Sequence, residues 1–307
     1  MGIGKLPILN SVCRFSCVCI KCGREKGSGK EQLTTERYTV LLTPLQAGSS
    51  IIISKGVFNM SFLVFLYSVI SYAIGMGGLV WFILYQGDFL LPATVNSGAS
   101  VAIMDGLLLN LALLLLWGIQ HSVMARPAFK AKLVRVLPAL AERSTYVWAS
   151  GLCLFAIALY WQGNSAVVWS LVEMDAPLRV LSLLGWGLTV WATFQIDHFD
   201  LFGLKKPFNA LRGKPSHDQQ FVAPFLYRHM RHPIQTGVLL GMWIQAHMTV
   251  GQLLLTIGMT VYVFVGLYFE EKDLVASFGN RYRTYMQQVP RLFPRPGKRI
   301  ADKQSVM

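Results

Sequence analysis

Tyr227-Arg228-His229-Met230-Arg231-His232-Pro233-Ile234-Gln235-Thr236-Gly237 is the point at which a basic, polar loop turns into an apolar run. A second polar cluster, Phe269-Glu270-Glu271-Lys272-Asp273, closes the next apolar run. The two runs read as antiparallel membrane helices joined by a short turn around His247-Met248-Thr249-Val250-Gly251. His232 and Glu270 are equally far along the chain from Gly251, about 28 Å at the rise of an α-helix, which is close to one hydrocarbon thickness. Arg231, His232, Glu270 and Glu271 are therefore expected to meet at one membrane face.

The composition agrees with a membrane setting. Of 307 residues, 53% are hydrophobic and only 14% charged, where a soluble domain carries about a quarter charged residues. The formal net charge of +13 sits in loops and termini, so it reads as cytosolic anchoring against anionic lipid. No basic module interleaved with aromatics is present, and nucleic acid is not an expected partner. Cys13, Cys17, Cys19 and Cys22 crowd into one stretch, but their spacing does not match a paired zinc framework.

Residues 1–59 lack the apolar length of the remainder and are expected to lie outside the folded domain. Lys26-Gly27-Ser28-Gly29-Lys30 resembles a phosphate loop only superficially: no glycine lies five residues before Gly29, and Glu31 replaces the hydroxyl residue. Lys55-Gly56-Val57 can be encoded as a ribosome-binding sequence, so translation is expected to start at Met60.

From Met60 onward the apolar runs give an all-α, polytopic membrane bundle of about six spans. They cover 61–85, 100–120, 145–161, 178–196 and the two arms of the opening hairpin. The glycines of Gly75-Met76-Gly77-Gly78 interrupt a continuous apolar helix and are read as close-packing points. Connecting loops alternate between basic, as in 121–144 and 197–232, and nearly charge-free or mildly acidic, as in 86–98 and 162–177. The positive-inside rule then puts both termini in the cytosol. Residues 60–294 form the expected domain, and 295–307 a basic cytosolic tail.

Three polar groups face that compartment: Asp197-His198-Phe199-Asp200, Tyr227–Gln235, and Glu270-Glu271 with Arg281, Tyr282, Arg283 and Tyr285 beyond. Ionisable groups at a membrane boundary are costly unless paired or hydrated, and they commonly mark sites. A structural reading stands beside this one, in which arginines snorkel and glutamates pair with them to close a helix end. As a site, cations beside two carboxylates suit a zwitterion, the cations taking its carboxylate and the glutamates its amine or sugar hydroxyls. His198, His229 and His232 are possible metal ligands, but the arginines between them repel a cation, so no metal is expected.

Arg231-His232-Pro233-x-x-x-Gly237, then Glu270-Glu271, then Phe278-Gly279-x-x-Tyr282-x-x-Tyr285-x-x-x-Val289-Pro290-x-Leu292-x-Pro294, resembles the integral-membrane methyltransferases that include isoprenylcysteine carboxyl methyltransferase. His121–Pro127, Glu142–Tyr146 and Ile196–Gly203 resemble the nurim-like branch and, within it, the bacterial methanethiol S-methyltransferases. The resemblance implies a multi-pass enzyme of a bacterial cytoplasmic membrane that uses S-adenosylmethionine to convert methanethiol, a small volatile thiol, to dimethyl sulfide. It also implies cofactor contacts from Tyr227, Arg231, His232, Pro233, Gln235, Gly237, Glu270 and Glu271. Gln235 departs from the tyrosine common at its position; it can hydrogen-bond but cannot stack. Methyl transfer to sulfur requires the thiolate, and His198 is the candidate base, with hydrogen bonding to Asp197, Asp200 or a neighbouring loop as its alternative role. Other acceptors (a larger thiol, a lipid, a prenylcysteine carboxylate) and a non-enzymatic nurim-like protein stay open.

Overall fold

The computed structural model describes residues 47–97, 103–215 and 221–294. The cysteine cluster, the Lys26–Lys30 loop and the tail from 295 lie outside them. The chain divides into two compact units inside its first helix, Met1–Lys55 and Gly56–Met307, and the fold is that of the second.

Long apolar runs with no proline beyond the first turn become helices because no intrahelical backbone donor is lost and no turn residue interrupts them. They are α1 (Ala47–Gln86), α2 (Ile103–Ala125), α4 (Glu142–Tyr160), α5 (Asp175–Ile196), α8 (Pro233–Trp243) and α9 (Val250–Phe278). Shorter helices occupy the polar loops: α3 (Pro127–Leu133), α6 (His198–Leu201), α7 (Lys205–Leu211) and α10 (Asn280–Gln288). Helix α1 starts earlier than the expected Ser61, since no proline lies between Ala47 and Gln86. Among the described residues three stretches are long and apolar enough to cross a membrane: Met60–Gln86, Gly106–Ala125 and Val250–Phe278.

The ends of the six longer elements alternate between two poles. At one pole Gln252 Nε2 donates to the Gln86 carbonyl at 2.7 Å, Thr249 Oγ1 to Asn96 at 2.8 Å, and Arg179 to the Asp88 carbonyl at 3.1 Å. At the other, Arg126 pairs with Asp273 at 2.8 Å and Lys130 faces Glu142 at 3.6 Å, while Arg143 Nε donates to the Leu201 carbonyl at 2.7 Å. Between them Phe82, Leu113, Trp117, Ile157, Trp186, Met242 and Leu255 form the main core. The outward faces stay apolar: Leu108 on α2, Leu159 on α4 and Leu184 on α5 are 78%, 65% and 63% exposed.

The hairpin that the sequence suggested differs in one respect. Helix α8 has 11 residues, about 16 Å, and does not match the 29-residue α9. In place of a plain turn, β2 (His247–Thr249) pairs antiparallel with β1 (Val167–Ser170), so the bundle carries a small two-stranded sheet. Local hydrogen bonding explains why α8 stops. The Gln245 amide and the Ser182 hydroxyl both donate to the Gly241 carbonyl, at 2.7 and 2.8 Å, capping the helix end. Trp169 Nε1 and the Leu171 amide then take the Gln245 and Ala246 carbonyls. The extended residues 244–249 span up to about 20 Å, which restores the missing reach and lets the start of α8 still meet the end of α9.

Candidate functional site

Proline at the first helical position fixes φ and removes a donor that would be unpaired there, so Pro233 starts α8. Arg231 and His232 are left on the extended entry to the helix, aimed at the last turns of α9. There Glu271 is the hub and is 3% exposed. Arg231 donates through Nε and Nη2 to its Oε1, both at 2.7 Å, and His232 Nε2 approaches the same oxygen at 3.1 Å. Arg291 Nη2 donates to Oε2. Three donors and two full positive charges thus surround one buried carboxylate, the arrangement that makes a desolvated anion tolerable.

The C-terminal motif closes over this hub. Backbone amides of Arg231 and His232 donate to the Pro290 and Arg291 carbonyls at 2.9 and 3.1 Å. Thr236 Oγ1 donates to the Leu292 carbonyl at 2.7 Å, and Arg231 Nη1 to those of Met286 and Val289. Tyr282, Tyr285 and Val289 are buried together, and Tyr285 donates its phenol proton to the Tyr227 carbonyl. Burial pushes the Tyr282 and Tyr285 phenols well above their usual values, so both are uncharged donors at neutral pH. The fixed spacings from Phe278 to Pro294 are those of a strap tied across the Arg-His-Pro segment.

Glu270, one residue from the hub, is half exposed. Gln235 Nε2 lies 3.4 Å from its Oε2, and His232 Nδ1 is 4.0 Å from its Oε1. The structure therefore brings Arg231, His232, Pro233, Gln235, Glu270 and Glu271 together, with Tyr227 alongside. Burial, followed by the Glu270 charge, holds the Tyr227 phenol above its normal range. Gly237 faces elsewhere: a Cβ there would lie 2.4 Å from Thr189 Oγ1 and 2.5 Å from the Gly185 carbonyl of α5. Its role in the structure is close packing of α5 on α8. Arg291 was not singled out from the sequence; it is one position before Leu292 of the motif and was masked by the general basicity of the tail.

His198 is also elsewhere. Its Nε2 is 2.9 Å from the Tyr72 hydroxyl and its Nδ1 2.8 Å from Thr193 Oγ1, while the Phe194 ring stacks at 4.2 Å. Neither Asp197 nor Asp200 is its partner in these bonds. Burial lowers the imidazole below its ordinary value, with the Asp197 charge opposing. Asp197 takes a left-handed conformation (φ 109°) that ends α5 and caps α6 by accepting from the Asp200 amide at 3.1 Å. Lys205 pairs with it. This third polar cluster builds the α5–α6 corner, and Ser144 Oγ secures the corner to α4 by donating to the Gly203 carbonyl at 3.0 Å.

No family model and no solved structure matches the chain. Curated relatives do. Methanethiol S-methyltransferase 2 of Bradyrhizobium diazoefficiens is 39% identical over 245 residues, covering 79% of this chain and 95% of that one. Methanethiol S-methyltransferase of Mycobacterium tuberculosis is 38% identical over 237 residues, covering 76% and 97%. Nurim of Rattus norvegicus is more distant, at 30% over 206 residues covering 64% and 76%. The Arg-His-Pro segment, the two glutamates and the C-terminal strap form one hydrogen-bonded assembly, and likeness over more than three quarters of the chain accompanies it: the chain belongs to the methanethiol S-methyltransferase family.

Proposed function

We propose that the protein transfers a methyl group from S-adenosylmethionine to methanethiol, releasing dimethyl sulfide and S-adenosylhomocysteine, at the cytosolic face of a bacterial cytoplasmic membrane. The observation that carries the reading is the unequal state of two adjacent carboxylates. Glu271 is buried and neutralised by Arg231, His232 and Arg291, while Glu270 is half exposed beside an amide and an imidazole.

The residues fit the cofactor's amino-acid and ribose groups. Glu270 offers an accessible carboxylate for an ammonium or for hydroxyls, Gln235 an amide, and Arg291, 40% exposed at its side chain, a guanidinium for a carboxylate. The cofactor, when bound, supplies a methyl group on a sulfonium. Arg231 and Glu271 hold the entry to α8 against the strap, and His232 links the buried carboxylate to the exposed one. Displacement at a methyl carbon requires alignment and exclusion of water more than acid–base power at the donor.

The membrane reading extends the three long apolar helices to six spans. Exposed leucines continue the apolar belt onto α4 and α5. Arg126, Lys130, Lys132, Arg135, Arg143, Lys205, Lys206, Arg212 and Lys214 gather around one pole, against Asp88, Glu173, Asp175 and Arg179 at the other. That asymmetry favours a cytosolic pole holding the site and both termini, with residues 60–294 as the enzyme domain.

The test is headspace dimethyl sulfide from the purified full chain given S-adenosylmethionine and methanethiol, with cofactor affinity measured by calorimetry in the same detergent. Wild type should make the product, and Glu270→Gln should lose about 10- to 100-fold in cofactor affinity, the range for a hydrogen bond to a charged group. Cofactor binding without dimethyl sulfide would point to another acceptor. Folded wild type that binds no cofactor would sink the reading.

A further inference from the structure

A second, partly buried polar cluster lies between α2, α4 and α9. Tyr146 Oη is 2.6 Å from His121 Nε2, and His121 Nδ1 is 3.1 Å from Ser150 Oγ, which in turn donates to the Tyr146 carbonyl at 2.9 Å. Trp117 stacks on the imidazole at 5.0 Å, and Tyr262 meets both rings edge-on at 4.3 and 5.9 Å. The cluster is not polar-satisfied: among the described residues the Trp117 Nε1 and the Gln120 Oε1 have no hydrogen-bond partner although both atoms are buried.

Its position relative to Glu270 sets it apart from the His198–Tyr72 pair. Tyr262 meets the His121 ring from α9, and Arg126 at the end of α2 reaches Asp273 and the Phe269 ring beside Glu270, whereas His198 is ringed by Phe194, Phe199 and Phe202. Along α9, Gly266 stands one turn after Tyr262 and one turn before Glu270. The atoms nearest to a Cβ at Gly266 would be those of Tyr262, at an ordinary 3.8 Å. Helix packing therefore does not demand a glycine there, and its missing side chain leaves less bulk on α9 between Tyr262 and Glu270. Arg143 on α4 lies over the Tyr146 ring at 5.0 Å and also acts on His121.

We infer that the Tyr146 hydroxyl and the His121 imidazole take the proton of the thiol acceptor, in an aromatic site that opens toward Glu270 past Gly266; the inference rests on the methyl-transfer reading above. The thiol S–H bond breaks as its proton passes to Tyr146 Oη and the phenol proton passes to His121 Nε2. The sulfur lone pair forms the new S–CH3 bond while the bond from the methyl carbon to the sulfonium breaks and leaves its electron pair on the departing thioether sulfur. The imidazolium then returns the proton to water. Arg143 and Arg126 favour the thiolate, and Arg143 shortens the life of the imidazolium. Trp117 and Tyr262 offer ring edges and faces, which suit a small polarisable sulfur. Tyr146 is the group that touches substrate, and His121 acts through it.

The experiment compares Tyr146→Phe and His121→Asn with wild type in the full-length protein, using methanethiol and the more acidic 2,2,2-trifluoroethanethiol, with cofactor affinity measured separately. Tyr146→Phe keeps the ring and its packing, so it stays informative if His121→Asn does not fold. For methanethiol kcat/KM should fall about 10²- to 10³-fold, as for loss of general-base catalysis, with cofactor affinity unchanged. For the acidic thiol, which ionises without help, the loss should shrink to under about tenfold. An equal loss on both thiols, or no loss, overturns the inference and leaves the methyltransferase reading intact. Wild type that makes neither thioether overturns both.

Discussion

At the scale of single residues, the two glutamates that look equivalent in sequence are opposites in the fold. Consecutive helical positions point about 100° apart, so one carboxylate of α9 turns into the strap and its neighbour toward solvent. Glu271→Gln would leave Arg231, 8% exposed at its side chain, without its counter-charge. Breaking a buried ion pair from one side costs about 3–5 kcal/mol. Glu270→Gln removes a half-exposed charge and should change stability by less than about 1 kcal/mol. Thermal unfolding of the two variants in one detergent checks this contrast, and coincident melting curves would refute it. His121 and His198 were equally visible as histidines near basic loops. Which of them packs against Tyr262 of α9, two turns before Glu270, depends on side chains from α4 and α9 that only folding brings near.

At the scale of elements, the most extensive helix contact among the described residues is α5 against α8, where small residues let two backbones approach. Gly241 meets the Trp186 ring, and Gly237 meets Thr189 and Gly185. Gly237→Ala forces a Cβ into backbone that cannot swing aside, so the helices must part, at about 1–3 kcal/mol. Gly187 on α5 has nothing within 4 Å of a built Cβ. Gly187→Ala should be neutral or stabilising by up to about 1 kcal/mol from helix propensity. Chemical unfolding of both variants tests whether the site helix is held by this contact; a neutral Gly237→Ala would show that it is not. The family resemblance counts Gly237 among the cofactor contacts, and sequence gives no indication of which helix face meets which neighbour.

At the scale of the whole molecule, alternating poles and asymmetric charge make a topological prediction. A cysteine introduced at Glu173 should react with a membrane-impermeant maleimide added to intact cells, and one at Lys214 only after permeabilisation, each measured against the parent protein with its native cysteines. Labelling of Lys214→Cys in intact cells would invert the topology. The same arrangement explains why segments far apart in sequence behave as one motif. Arg143 reaches Leu201, Ser144 reaches Gly203 and His121 reaches Tyr146, so the three segments that carried the nurim-like resemblance pack on one another at the basic pole.

The order of apolar runs and the alternation of basic and charge-free loops were determined by the sequence itself, and the equal chain distances from Gly251 anticipated the meeting of Arg231-His232 with Glu270-Glu271, although an extended segment supplies part of that reach. Run length, charge and helical rise are properties of a segment alone. Tertiary structure decided the rest: the short α8 with its β2 pairing, the burial of Glu271 rather than Glu270, the recruitment of Arg291, and the joining of His121 to Tyr146. Each of these depends on a hydrogen bond or a close contact between residues far apart along the chain, and the identity of such partners is set by packing.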